Sequence, residues 1–354
     1  MSTFLNTRFR GVAEYVPGEQ PQDKVYIKLN TNESPFPPSK GVVAAIDAAA
    51  VEGLRLYPDP DCKVLTKALA ERYEVDTEMV FITNGSDDIL NFCFMGFCDG
   101  GAVFPDITYG FYEVYANLYG VPYETKPLNE QFAINPADYY NAGKTVVFAN
   151  PNAQTGVAMP LSAVEEIVKK NPQNVVVVDE AYVDFGAESA VALTKRYENL
   201  LVVMTFSKSR SMAGARLGFA IGSKSLIADL NRLKYSTNPY NINRLTQFAG
   251  TAALAEDNYY MDNCKEIIRV REWTRAELKK RGFTVTDSKS NFLLAAHPAI
   301  EGKALYQYLK DNGVLVRYLG MPRIKEYNRI TIGTQQQMQK MLDVIDAALE
   351  GVEK

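Results

Sequence analysis

One lysine in this chain sits in a setting suited to covalent chemistry. Lys208 lies in Thr205-Phe206-Ser207-Lys208-Ser209-Arg210-Ser211, a stretch of small and hydroxyl residues that follows an apolar run. Lysine attacks a carbonyl only as the free amine, so its pKa must fall from about 10.4 through desolvation or nearby positive charge. Arg216 is one source of such charge. Upstream, Asn174-Val175-Val176-Val177-Val178 runs into Asp179-Glu180-Ala181-Tyr182. A continuous apolar run of this kind reads as a strand buried on both faces, and ligands of open α/β sheets collect at the carboxyl ends of such strands. An acid placed there can hold a proton on a heterocyclic nitrogen and so make the ring an electron acceptor. Tyr182 is near enough in sequence to reach an oxygen on the same ring. Taken alone, each motif has an ordinary explanation, a solvated loop lysine or an aspartate capping a helix. Their joint occurrence argues for a site.

Two more strand ends carry suitable groups. Thr145-Val146-Val147-Phe148-Ala149 leads into the turn Asn150-Pro151-Asn152-Ala153-Gln154-Thr155-Gly156, whose amides can donate to an aromatic oxygen. Phe81-Ile82-Thr83 leads into Asn84-Gly85-Ser86-Asp87, where the free backbone N–H groups of a starting helix suit a phosphate.

Together with Tyr15-Val16-Pro17-Gly18, Leu29-Asn30-Thr31-Asn32-Glu33-Ser34-Pro35, Arg55-Leu56-Tyr57-Pro58, Thr108-Tyr109-Gly110 and Asn328-Arg329-Ile330-Thr331-Ile332-Gly333, these pieces follow a known order. The chain resembles the fold-type I pyridoxal-phosphate aminotransferases, and within them the histidinol-phosphate aminotransferase group. The resemblance covers nearly the whole chain. It implies pyridoxal 5'-phosphate as cofactor and a catalytic set of Lys208, Asp179 and Tyr182. Lys208 would carry the cofactor covalently, Asp179 would pair with the pyridinium nitrogen, Tyr109 would stack on the ring, and Tyr182 would bond the phenolic oxygen. The cofactor phosphate would be held at Gly85, Ser86 and Asp87, by Thr205, Ser207 and Arg216, and by Tyr57 from a second subunit. Arg329 would hold the substrate's anionic group, with Arg317, Tyr15 and Asn32 completing the substrate site. The implied reaction converts histidinol phosphate and 2-oxoglutarate to imidazole-acetol phosphate and glutamate, in a homodimer with shared active sites. An aromatic amino-acid aminotransferase and a threonine-phosphate decarboxylase are alternatives on the same fold. A cofactor-binding protein without turnover is the alternative from another class.

One departure stands out. The family more often reads Asn-Asn-Pro-Thr-Gly where this chain has Asn152-Ala153-Gln154-Thr155-Gly156, so the asparagine that usually bonds the phenolic oxygen aligns with Ala153. Either Asn152 takes over that bond or Tyr182 makes it alone. Gln154 stands in place of a proline and removes a rigid turn element.

The elements that must position these groups are legible as patterns. Apolar runs near residues 79–83, 102–105, 121–125, 145–149, 174–179, 200–206 and 217–222 alternate with helical patterns. The expectation is an α/β fold, a large domain with a mostly parallel seven-stranded sheet between helices. A single helix is expected near 40–52 and a long helical stretch over 245–282. Short strands at 283–285, 291–295, 314–317 and 329–332 then mix with helices at 304–312 and 335–351 into a smaller α+β domain. The expected organisation is an N-terminal arm (1–30) packing with the small domain, a large cofactor-binding domain (31–245) and a small C-terminal domain (246–354).

A chain of 354 residues can bury roughly three quarters of its unfolded surface. A net charge of −4 with scattered lysines and arginines gives no basic footprint for nucleic acid. Cys62, Cys93, Cys98 and Cys264 form no Cys-x-x-Cys pair, and His297 is the one histidine, so no metal site is expected. No charged-then-apolar leader precedes residue 30, and no apolar run reaches the roughly 18 residues that a membrane-spanning helix needs. A cytoplasmic protein without a membrane partner is expected.

Overall fold

Seven strands form one sheet in the spatial order Val80–Thr83, Gly218–Gly222, Leu200–Thr205, Val176–Asp179, Thr145–Ala149, Ala102–Pro105, Tyr123–Lys126. The computed structural model describes residues 2–12 and 14–352. Gly218–Gly222 runs antiparallel to both neighbours, and every other pairing is parallel. Six of the strands are buried along their whole length, and only the edge strand Tyr123–Lys126 reaches solvent. Successive side chains of a strand point to opposite faces. Val146, Phe148, Val176, Val178, Leu200 and Val202 therefore join one apolar core, while Val147, Val177, Leu201 and Val203 join the core beneath the other face. Burial on both faces explains why the strands read as unbroken apolar runs rather than as alternation. This is the seven-stranded, mostly parallel sheet that the sequence predicts.

Gly218 faces Thr83 on one side and Thr205 on the other. A Cβ there would lie 2.3 Å from the Ser86 nitrogen, so only glycine lets the Gly85-Ser86 turn close against the end of the lysine-bearing strand.

The second sheet is antiparallel, in the order Arg317–Tyr318, Asn328–Thr331, Phe292–Ala296, Thr284–Val285. Helices Asp257–Lys280, Gly302–Asp311 and Gln335–Val352 accompany it. Leu29 belongs to its core, because Ile27–Lys28 pairs in parallel with Val314–Leu315. Glu19 bonds Tyr306 and Lys310 at the same face.

Two expected helices are divided. The helix expected near 40–52 is Lys40–Ala45 and Ala48–Glu52, with Asp47 capping the second through Ala50 N–H. The stretch 245–282 is Arg244–Ala255 and Asp257–Lys280, interrupted at Glu256, whose carboxylate accepts from Gly41 N–H at 2.8 Å. Arg244–Ala255 packs on Lys40–Ala45 and Lys63–Tyr73 and puts Ala249 and Ala253 into the core beneath the large sheet. It lies on the large-domain side of the boundary expected at residue 246.

Candidate active site

A cavity of about 440 Å³ opens at the carboxyl ends of Val176–Asp179 and Leu200–Thr205. Of the residues expected at the site, Ser86, Asp87, Tyr109, Asp179, Tyr182, Thr205, Ser207, Lys208 and Arg216 line it, together with Thr31, Glu33 and Ala153.

Lys208 Nζ donates to Thr31 O at 3.2 Å and lies 5.9 Å from the centre of the Tyr182 ring. Burial, then the positive charge of Arg329, brings its pKa down to about 8, against the opposing pull of Glu33 and Asp87. Arg216, the expected source of charge, acts in the same direction but more weakly than Arg329.

Asp179 is 4% exposed. Its Oδ2 accepts from Tyr112 OH at 2.9 Å and its Oδ1 from Ala181 N–H at 3.2 Å. Burial pushes its pKa up to about 6, and these two hydrogen bonds pull the other way. No lysine or arginine lies within ion-pair distance of it among the described residues. Tyr112 was not singled out by sequence, where it reads as one more aromatic of the helix Phe111–Tyr119. Tyr182 OH accepts from Asn32 Nδ2 at 2.9 Å. Asn32 is itself buried with φ +57° and is fixed by Thr331 and Asn291, so it stands behind Tyr182 rather than in the cavity wall.

At the other end, helix Ser86–Gly96 begins without a side-chain cap, which leaves its first N–H groups free. Asp87 accepts from Tyr109 OH and Arg216 Nη2, each at 2.8 Å. Gly85 takes φ +83°, and a Cβ on it would stand 2.6 Å from Arg216 Nη2. Thr205 Oγ1 donates to Ser207 Oγ at 3.0 Å.

Arg329 and Arg317 are register partners on adjacent antiparallel strands. Arg317 donates to the carbonyls of Val16 and Pro17 at 3.1 Å each. Tyr15 stacks on Phe111 with centroids 4.1 Å apart and meets Tyr109 edge-on at 6.3 Å. Arg329 donates to Gln154 Oε1 at 2.7 Å, Ala153 O at 3.2 Å and Asn30 O at 3.3 Å.

Gly85, Tyr15, Asn32, Arg317 and Arg329 stand outside the immediate lining, and two further expected residues, Asn152 and Tyr57, are engaged elsewhere. Asn152 Nδ2 donates to Ile107 O, and its Oδ1 accepts from the N–H groups of Gln154 and Thr155. Its amide is committed to holding the turn, whereas Tyr182, the other residue expected to bond the phenolic oxygen, lines the cavity. Tyr57 is 77% exposed, stacks on Tyr240 and does not line the cavity.

The donor set fits pyridoxal phosphate. An uncapped helix start, two hydroxyls and a guanidinium suit its phosphate, a buried carboxylate with no cation beside it suits a protonated ring nitrogen, and a lysine of lowered pKa suits its aldehyde. Gly85 and Gly218 keep open the space that side chains would fill.

This fold and site define an aminotransferase that works with pyridoxal phosphate. The chain belongs to the aminotransferase class I and II family, whose model matches residues 24–345. Among curated relatives, the histidinol-phosphate aminotransferase of Brachyspira hyodysenteriae is 49% identical over 348 residues, 98% of each chain. That of a Marinomonas species is 50% identical over 343 residues, 96% of this chain and 97% of its own. Among solved structures, histidinol-phosphate aminotransferase from Sinorhizobium meliloti in complex with pyridoxal-5'-phosphate matches with a TM-score of 0.87 at 22% identity, covering 98% of this chain and 100% of that one. The L-threonine-O-3-phosphate decarboxylase of Porphyromonas gingivalis matches with a TM-score of 0.78 at 21% identity, covering 92% and 99%. At such identities these two structures speak for the fold alone. Among the described residues, no helix is long and apolar enough to cross a membrane, and no group of three or more acidic, histidine or cysteine side chains is arranged to hold a metal.

Proposed function

We propose that the protein transfers the amino group of histidinol phosphate to 2-oxoglutarate, giving imidazole-acetol phosphate and glutamate, as a step of histidine biosynthesis. The observation that carries this reading is the pairing of Arg317 with Arg329 across adjacent strands, beside a buried lysine of lowered pKa. Paired guanidinium forks suit both a substrate phosphate and a dicarboxylate, and relatives of about half identity carry the corresponding name.

When bound, pyridoxal phosphate supplies a ring that draws away the electron pair left as the substrate carbon loses its proton. Lys208 has the place and the basicity to take up that proton and return it. Asp179, fixed by Tyr112 and the Ala181 N–H, would keep a proton at the ring nitrogen. Tyr182, held by Asn32, serves the ring oxygen without help from Asn152. The Gly85-Ser86-Asp87 backbone, Thr205, Ser207 and Arg216 would hold the cofactor phosphate, and Tyr109, which lines the same cavity, would pack against the ring. Arg329 takes the anionic end of either substrate, the phosphate of histidinol phosphate or a carboxylate of glutamate, and Arg317 and Tyr15 join it on the phosphate.

A homodimer belongs to this reading, with Tyr57 lent to the neighbour's phosphate site. It is supported by the exposure of Tyr57 and of several large apolar residues near it in sequence, Val43, Val51, Leu54, Leu56 and Val64. Four free, buried cysteines agree with a reducing compartment such as the cytoplasm.

Steady-state kinetics with histidinol phosphate, phenylalanine, tyrosine and threonine phosphate, each with 2-oxoglutarate, test the assignment. Histidinol phosphate should give the highest kcat/KM. A higher value for phenylalanine or tyrosine, or release of CO2 from threonine phosphate, would replace it with the aromatic or the decarboxylase reading.

A further inference from the structure

Arg329 is held only by neutral groups. Nη1 donates to Gln154 Oε1 and Ala153 O, Nη2 donates to Asn30 O, and Nε is buried without a partner. Buried charges are ordinarily paired. Arg210, which is buried still more deeply, shows the ordinary arrangement, bonded to Asp184 and Asp257. Arg329 therefore keeps its charge for something that enters. Gln154 is 8% exposed, and its Nε2 donates to Thr108 O at 3.2 Å. That bond fixes which way the amide points, oxygen toward the guanidinium. The contact at 2.7 Å is the shortest that Arg329 makes, and it comes from a position where the sequence departs from its family's pattern.

We propose that Gln154 is the positioning residue for anion selection: its uncharged amide fixes the Arg329 guanidinium in place and leaves that guanidinium's charge available to the substrate. The inference rests on the reading of Arg329 as the substrate's anion receptor. A carboxylate in the same place would hold Arg329 equally well but would neutralise it.

The test uses the cofactor-loaded enzyme. Gln154→Met removes the acceptor at similar volume, and it should raise KM for glutamate and for histidinol phosphate about tenfold, as befits a lost hydrogen bond to a charged group, with a smaller change in kcat and unchanged cofactor affinity. Gln154→Glu should bind succinate, a dicarboxylate with no amine to react, about 100-fold more weakly by calorimetry, because a paired guanidinium no longer seeks an anion. Its melting temperature should nevertheless stay at or above that of the parent. A purely structural role would lower stability and leave succinate affinity intact. KM values within twofold of the parent in Gln154→Met, or parental succinate affinity in Gln154→Glu, overturn the proposal. If Gln154→Met does not fold, as circular dichroism would reveal, Gln154→Glu decides alone. Arg329→Met separates the underlying reading: parental succinate affinity in that variant overturns Arg329 as the anion receptor and the role of Gln154 with it. A parent enzyme that turns over glutamate but not histidinol phosphate would refute the substrate assignment while leaving the glutamate and succinate arms decisive for Gln154.

Discussion

Lys208 owes its basicity to its surroundings, and that dependence can be measured. With a pKa near 8, the cofactor-free protein should capture pyridoxal phosphate at a rate that levels off above pH 8 and falls about tenfold per unit below it. Borohydride should fix the captured cofactor to the parent chain and not to Lys208→Ala. Label retained in the variant would show that another lysine carries the cofactor. Asp179 titrates in the opposite sense. Burial raises its pKa to about 6, and the Tyr112 hydroxyl is one of the groups that lowers it. Tyr112→Phe should raise that pKa further and move the acid limb of the kcat/KM profile to higher pH, with looser cofactor binding; an unmoved limb would mean that Tyr112 only fills space. Lys208, Asp179 and Tyr182 were legible because each lies in a compact local motif. Tyr112 and the Gln154 contact were not, because their partners lie 67 and 175 residues away and no local pattern marks such bonds. Which of Asn152 and Tyr182 is free to act was hidden for a related reason, since the Asn152 amide is spent on its own turn.

Elements were read well where one physical signal dominated. The large sheet was legible because burial on both faces writes itself as apolar runs. The breaks at Ile46 and Glu256 were not, since neither residue is glycine or proline. Glu256 is drawn out of line by a tertiary bond to Gly41. Just beyond it, Asp257 begins the long helix and binds Arg210 at 2.6 Å, and Arg210 also binds Asp184 at 3.0 Å. Arg210 thus ties the loop that carries Lys208 to the segment that carries Tyr182 and to the start of the long helix. Removing one member of a buried ion group strands the others, so Arg210→Leu should destabilise the fold by about 3–5 kcal/mol. Arg72 contacts the same Asp257 from a partly exposed position, and Arg72→Leu should cost less than about 1 kcal/mol. Chemical denaturation of the two variants would show whether burial sets the difference; equal losses would deny it.

The proposed homodimer adds a prediction that no single chain can satisfy. If Tyr57 serves the neighbouring site, a Lys208→Ala subunit can lend Tyr57 to a partner bearing Tyr57→Phe and an intact Lys208. Mixed under subunit exchange, the two variants should show activity above the sum of the separate preparations, provided Tyr57→Phe alone is clearly impaired. No gain, with heterodimers verified by mass, would place Tyr57 outside any shared site. At this scale the sequence disclosed the architecture but not which parts must wait for which. The short parallel pairing of Ile27–Lys28 with Val314–Leu315 has a consequence in time. A chain emerging from the ribosome can complete its large sheet once Gly222 is out, since domains fold as units during synthesis. The segment that bears Thr31 and Asn32 can bond Lys208 and Tyr182 by then, but it gains its strand pairing only when Val314 and Leu315 arrive, and Arg329, the strongest charge acting on Lys208, arrives later still. A nascent chain therefore lacks the charge that assists burial in lowering the lysine's pKa, and the amine is less reactive toward stray aldehydes until Arg329 has been made.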